Sequence, residues 1–221
     1  MLLAIDCGNT NTVFSIWDGE TFLCTLRTST HHARTADAYF TWFSTLVSHY
    51  GIEPNIKDVI ISSTVPRVVF NLRVFTDRFF GCRPIVVGKP DCDLPVPPRV
   101  DEGTQVGGVI APGVNLSLEA LHSAAAALPH VDVTKPQQVI GTNTVDCMQS
   151  GVFWGYVGLV NGICARIRAE YEKPMKIIGT GGLAPLFAQG DLLFDYIEDD
   201  LTMHGLTVIH AFNTKAENTR K

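Results

Sequence analysis

Leu2-Leu3-Ala4-Ile5-Asp6-Cys7-Gly8-Asn9-Thr10-Asn11-Thr12 is a short apolar strand that runs straight into one carboxylate, a glycine and a cluster of small polar residues. A buried strand delivers Asp6 at its end. Gly8 lets the backbone turn and approach an anion, and backbone N–H groups with the Thr10 and Thr12 hydroxyls suit phosphate oxygens. A carboxylate repels bare phosphate, so Asp6 implies a bridging cation, for which Mg²⁺ held through coordinated water is the best match. A hairpin turn rich in Asn and Thr is the alternative reading of the same residues.

Outward from that strand, Thr12 to Asp18 continues as an extended apolar run, and Asp18-Gly19 predicts a tight turn into Thr21 to Thr28, giving consecutive antiparallel strands. A helix is expected from Thr35, whose hydroxyl caps it. Tyr39, Trp42, Phe43, Leu46, Val47 and Tyr50 fall on one face, and Gly51 ends it. The aromatic stripe reads as core. Val59 to Ser63 is apolar on both sides, as a central strand must be, and a helix through Phe70, Val74 and Phe79 follows Pro66. Pro84 to Gly88 reads as another strand, and the proline-rich stretch from Lys89 to Val100 as a connector.

The second half starts at Asp101 to Gln105 and passes through a strand-and-turn run from Val106 to Gly113 into a helix over Leu116 to Leu128. From Thr144 a longer helix runs to about Ala169, with Gly151, Gly155, Gly158 and Gly162 among bulky residues. Each glycine weakens a helix by about 1 kcal/mol relative to alanine, so close packing at a domain or subunit contact is expected to offset the loss. Gln149, Asn161 and Arg166 interrupt the apolar run and argue against a membrane-helix pair. Lys176 to Ala184 then reads as a strand feeding the turn Gly179-Thr180-Gly181-Gly182, which suits a base or phosphate lying on bare backbone and equally a crowded turn. Asn213 to Lys221 lacks periodicity and is expected to fray.

Across all 221 residues the apolar fraction is 46% but the charged fraction only 18%, less polar surface than a lone monomer carries, so a homo-oligomer is expected. A net charge of -5 without a basic cluster argues against nucleic acid, and no stretch is long and apolar enough to cross a bilayer. The N-terminus has no basic region and meets Asp6 at once, so no signal peptide is expected. Cys7, Cys24, Cys82, Cys92, Cys147 and Cys164 have no metal-ligand spacing and read as reduced, mostly buried side chains of a cytoplasmic protein. His31 and His32 lack a third ligand at a sensible spacing.

Three segments in the right order, Asp6 to Val13, Gly107 to Gly113 and Gly179 to Gly182, resemble the signatures of type III pantothenate kinase. Gly141-Thr142-Asn143-Thr144 and Met148-Gln149-Ser150-Gly151 are also similar, and the likeness runs from Met1 to about Val208. It implies an actin-like (ribonuclease H-like) pair of α/β domains with mixed sheets, here residues 1–100 with the phosphate loop and 101–221 lacking its leading strands. It further implies a cytoplasmic homodimer that transfers the γ-phosphoryl of ATP to pantothenate, using Mg²⁺ and a monovalent cation, K⁺ or NH4⁺. By motif, Asp6, Cys7, Gly8, Asn9, Thr10, Asn11, Thr12 and Val13 would hold the phosphates, Asp6 the metal, Thr144 pantothenate, and Gly179, Thr180, Gly181 and Gly182 the adenosine. Thr144 also reads as a helix cap.

The family's Gly-Ala-Asp-Arg segment, with its catalytic aspartate, and its Asp-x-Gly-Thr phosphate loop have no counterpart here, so no catalytic residue is identifiable. Several tens of residues are missing between Val100 and Asp101. A true deletion, giving a defective relative, would strip a strand ladder from the second half, and a non-kinase use of the scaffold is a third explanation; the expected one is that the residues belong to the protein and are absent from this sequence, so that Val100 and Asp101 stand far apart. The chain is expected to bind ATP poorly and turn over little or nothing. Two alternatives stand beside the kinase: a non-catalytic regulatory or accessory protein on the same fold, and a kinase for a different small alcohol.

Overall fold

The computed structural model describes residues 1–95, 108–124, 128–171, 174–189 and 194–220, with backbone alone for 216–220. The Val100–Asp101 junction, the end of the proline-rich connector, Asp101 to Gln105 and the first two residues of the Val106 to Gly113 run lie outside the described residues. In chain order the elements are β1 (Leu2–Cys7), β2 (Asn11–Trp17), β3 (Phe22–Ser29), α1 (Ala36–His49), β4 (Asp58–Ser63), α2 (Pro66–Phe80) and β5 (Ile85–Val86). They continue as α3 (Val114–Ala124), α4 (Thr144–Tyr171), β6 (Ile178–Gly179), α5 (Ala184–Ala188), β7 (Tyr196–Ile197) and α6 (Leu201–Arg220). They fall into two compact units, residues 1–105 with 201–221, and residues 106–200.

The first unit is built on a five-stranded sheet of order β3-β2-β1-β4-β5, antiparallel from β1 through β3 and parallel from β1 to β5. The β2–β3 turn closes because Asp18 Oδ1 accepts the N–H groups of Glu20 at 2.7 Å and Thr21 at 2.8 Å, while Gly19 adopts φ 122°. Alternation along β1 sends Leu3, Ile5 and Cys7 to one face. There they meet Phe14 and Ile16 of β2, Tyr39, Phe43 and Val47 of α1, and Val68, Leu72 and Phe75 of α2. Phe14 sits among Trp42, Tyr39, Phe43 and Phe75 with ring centroids 5.2 to 6.0 Å apart, the tilted and edge-on spacings that aromatic quadrupoles favour. Thr35 Oγ1 caps α1 by accepting from Ala38 N, and Pro66 begins α2, where its missing N–H costs nothing.

The opposite face of the sheet carries Leu2, Ala4, Val13 and Ile60, and α6 covers it with Met203 and Leu206. The fraying expected after Asn213 does not occur: α6 continues to Arg220, and Asn213 is buried. The Asn213 side chain accepts from Asp93 N and donates to Asp93 O, both at 2.8 Å, and donates to Ile209 O in its own helix. Those bonds fix the last helix against the segment after β5.

In the second unit α3 begins at Val114 and its last described residue before 125–127 is Ala124. The glycine-bearing helix extends over Thr144–Tyr171, and Val114, Phe153, Val157 and Phe187 form its small core. Tyr156 OH donates to Pro112 O at 2.9 Å and lies 2.5 Å from the Ser117 hydroxyl, tying the loop before α3 to α4. The expected strand is absent from 108–113: these residues have no regular structure, because no described strand lies alongside to complete a ladder. The expectation of mostly buried cysteines also fails, since only Cys7 and Cys24 are buried while Cys147 is exposed and the other three are in between. Among the described residues no helix is long and apolar enough to cross a membrane.

Burial of His210 on α6 holds its pKa below the ordinary value, against the opposing pull of Asp58, whose Oδ1 lies 3.9 Å from His210 Nε2. A histidine depressed in the folded state contributes stability above its unfolded pKa of about 6.5 and loses it as pH falls. The urea midpoint should fall between about pH 7 and pH 5, and His210→Gln should flatten that slope.

Candidate functional site

Asp6 is the last residue but one of β1, on the face that α6 covers further down, paired in register with Val13 on one side and Ser62 on the other. Its carboxyl is half-buried. Burial pushes the pKa up, and a hydrogen bond from the Ser62 side chain partly offsets this. A carboxylate held at that cost beside a hydroxyl is an oxygen donor set suited to a hard cation. The sequence alone does not single out Ser62, because its place beside Asp6 depends on which strand pairs with β1.

The chain then turns through Gly8 to Asn11. Gly8 N donates to Asn11 O at 2.9 Å, and a Cβ on Gly8 would lie 3.4 Å from that oxygen, tight for any larger residue. Thr30 braces the turn from β3: its N–H donates to Thr10 O and its hydroxyl to Gly8 O, each at 2.8 Å. Asn9, Thr10 and Asn11 are exposed, Asp6 and Gly8 half-buried, and Cys7, Thr12 and Val13 buried. Thr12 is fully buried, and its hydroxyl lies 2.9 Å from that of Thr30 and 3.3 Å from Cys7 Sγ. Its hydroxyl therefore shapes the turn from beneath, in contrast to the phosphate contact the sequence suggested; the reachable groups are Asp6, the backbone from Gly8 to Asn11 and the Thr10 hydroxyl.

In the second unit the cap of α4 is Asn143, not Thr144. Asp146 N donates to Asn143 Oδ1 at 3.0 Å, and Asn143 Nδ2 donates to Asp146 Oδ2 at 2.7 Å, a reciprocal pair that satisfies the helix start. Thr144 is thus the first helical residue, exposed and released from capping. Gly141 packs so tightly under this start that a Cβ would come within 2.4 Å of Cys147 N. Beside it, Lys135, Gln137, Gln138, Asp146 and Gln149 line a polar hollow.

The glycine turn after β6 divides by role. Gly179 is buried, and a Cβ there would meet the Phe194 ring at 2.8 Å, so packing alone demands glycine. Gly181 adopts φ 86° with open space around it, and Thr180, Gly181 and Gly182 are exposed. Asp195 anchors the strand before the turn by accepting from Ile177 N at 2.8 Å, and Lys176 and Arg168 lie beside its carboxylate.

Sheet order and acidic turn define a mixed α/β protein. A Baf family protein from Campylobacter jejuni has a similar fold, with TM-score 0.53 and 14% identity over 96% of this chain and 99% of that one. The family model of type III pantothenate kinase matches residues 2–107 and 101–166. The type III pantothenate kinase of Ruegeria pomeroyi is 69% identical over 253 aligned positions, covering 96% of this chain and 98% of that protein. The one from Jannaschia sp. is 68% identical over 253 positions, with the same coverage. The chain belongs to the type III pantothenate kinase family, a family of phosphotransferases. Since 253 aligned positions exceed its 221 residues by 32, at least 32 positions of each alignment have no residue here. The two matched stretches overlap at 101–107.

Gly141→Ala should cost about 1–3 kcal/mol, since the added methyl meets backbone that cannot rotate away. The loss should show as a lower chemical-denaturation midpoint.

Proposed function

We propose that this fold serves the ATP-dependent phosphorylation of pantothenate to phosphopantothenate, the first step of coenzyme A biosynthesis, in the cytoplasm. The observation that carries the reading is the half-buried Asp6 at the tip of β1, opening into an exposed turn of small polar residues. Membership of a kinase family supports it.

In this reading the backbone of Gly8 to Asn11 and the Thr10 hydroxyl hold the triphosphate, while Cys7, Thr12 and Val13 keep the turn in shape from below. Asp6 would hold Mg²⁺, which would supply charge neutralisation for the transferring phosphoryl group. Gly179 to Gly182 approach the adenosine: Gly179 by packing the turn closed, Thr180, Gly181 and Gly182 by leaving backbone bare. Thr144, freed from capping by Asn143, meets pantothenate. The monovalent cation, K⁺ or NH4⁺, has no residue assigned to it, because the loop that resemblance gives it is among the missing positions. With the aspartate segment gone as well, nothing identified orients the attacking hydroxyl, so the 221-residue chain should be a poor catalyst. That absence is also what favours the second reading, a non-catalytic binding protein on the same scaffold.

Assays of ATP-dependent phosphorylation should compare this chain with a form carrying the Ruegeria pomeroyi segment between Val100 and Asp101, using pantothenate and other small alcohols as acceptors. Pantothenate-specific turnover in the restored form supports the kinase; ATP binding without turnover on any acceptor supports the second reading. In the restored form Asp6→Asn should lower kcat by about 100-fold or more, the loss of several kcal/mol of charge stabilisation, with no drop in Tm.

We further propose a homodimer. Gly151, Gly155 and Gly158 lie exposed along α4 with nothing within 4 Å of where a Cβ would stand, so a partner helix has room to approach. Sedimentation of the restored form should give twice the chain mass, and Gly155→Leu should shift it toward monomer.

A further inference from the structure

The second unit leaves several aliphatic residues more exposed than any aliphatic residue of the first-unit sheet core. Ile110 is 100% exposed, Ile140 81%, Val139 64% and Val109 59%, whereas Ile5, Ile60 and Ile61 of the first unit are at 0%. Tyr196 and Ile197 are exposed too, on a strand that pairs with only two residues of β6. Val109–Ile110, Val139–Ile140 and Tyr196–Ile197 are each a pair of apolar residues adjacent in sequence and left bare, and large exposed apolar groups mark positions built to be covered.

Two further observations fit the same deficit. The β6–β7 pair is a two-stranded sheet with two residues per strand, shorter than strands that hold themselves together, and both of its outer edges lie open among the described residues. The Trp154 indole N–H is buried and finds no acceptor among the described residues, although buried donors are nearly always paired. Val139 is nevertheless held in place, its O accepting from the Ser150 hydroxyl of α4, and Pro112, two residues after Ile110, accepts from Tyr156 of the same helix.

Length supplies the occupant. The curated relatives carry at least 32 positions that this chain lacks, and the two family matches meet immediately before Val109. About 32 residues is enough for several strands of average length. We propose that the exposed residues Val109, Ile110, Val139, Ile140, Tyr196 and Ile197 form the docking surface for that absent segment, which adds strands to the β6–β7 edge, and that this chain accepts the segment as a separate peptide. The mode is strand addition: backbone groups pair with the open edge, and alternate apolar side chains cover the isoleucines and valines. The inference rests on the family assignment and on exposure, and is independent of whether pantothenate is the acceptor.

The test uses the 221-residue chain and a synthetic peptide comprising the Ruegeria pomeroyi residues with no counterpart here. Expected are saturable one-to-one binding by calorimetry, a fall in 8-anilinonaphthalene-1-sulfonate fluorescence, a rise in Tm, and at least about tenfold weaker binding to Ile110→Lys and Ile140→Lys. Both positions are exposed, so these variants should fold like the parent, which far-UV circular dichroism checks. Absence of saturable binding overturns the proposal, as does binding that both variants leave unchanged. If Ile110→Lys or Ile140→Lys instead converts a peptide-free dimer to monomer, the surface belongs to a second copy and the proposal falls. None of these readouts involves ATP or pantothenate, so they separate failure of the docking surface from failure of the kinase reading.

Discussion

Strand β1 is hydrogen-bonded on both sides, to β2 and β4, and covered on both faces, by α1 and α2 on one and α6 on the other. That double enclosure makes Leu2 to Ile5 uniformly apolar and buried. It also fixes the one charged residue in the strand. Asp6 sits where the strand emerges from cover, close enough to the core to lose part of its water and close enough to the surface to meet a ligand. Partial burial raises the carboxyl's pKa above that of a free aspartate. Placement of the charge, and therefore the chemistry assigned to this end of the sheet, depends on how firmly β1 is held.

The two units answer the same physical demand with unequal means. In the first, aromatic and aliphatic side chains from five strands and three helices interlock, with Phe14, Tyr39, Phe43 and Phe75 at its centre. In the second, one long helix gathers a core of four buried residues, and apolar side chains on its loops face outward. The aligned relatives are longer, with at least 32 alignment positions that have no residue in this chain.

Much of the first unit is legible because its signals are local. The apolar runs of β1 and β2, the Asp18-Gly19 turn, the Thr35 cap and the Pro66 start each state their own conformation within a few residues, and the structure obeys them. The less legible features depend on partners distant in sequence. Ser62 beside Asp6 requires knowing that β4 lies parallel to β1, and the docking of α6 rests on Met203 and Leu206 amid polar neighbours, a pattern too sparse to suggest burial. Thr12 misleads because a hydroxyl next to a phosphate-type turn looks available, whereas the pleat sends it inward to Cys7 and Thr30. The Asn143 cap is readable from its spacing to Asp146, yet the adjacent threonine is an equally good capping residue by type and masks it.

The first unit is discontinuous, with residues 201–221 completing what residues 1–105 begin. On the ribosome, β1 to β5 emerge long before α6, and until Met203 and Leu206 are translated one side of the sheet has no lid. Nascent chains must therefore hold that greasy side in reserve through synthesis of the intervening 95 residues, 106 to 200, before the last helix and the Asn213 clasp seal it. Premature termination anywhere in that stretch would release a product with its Asp6 turn formed and its underside open to chaperones and proteases.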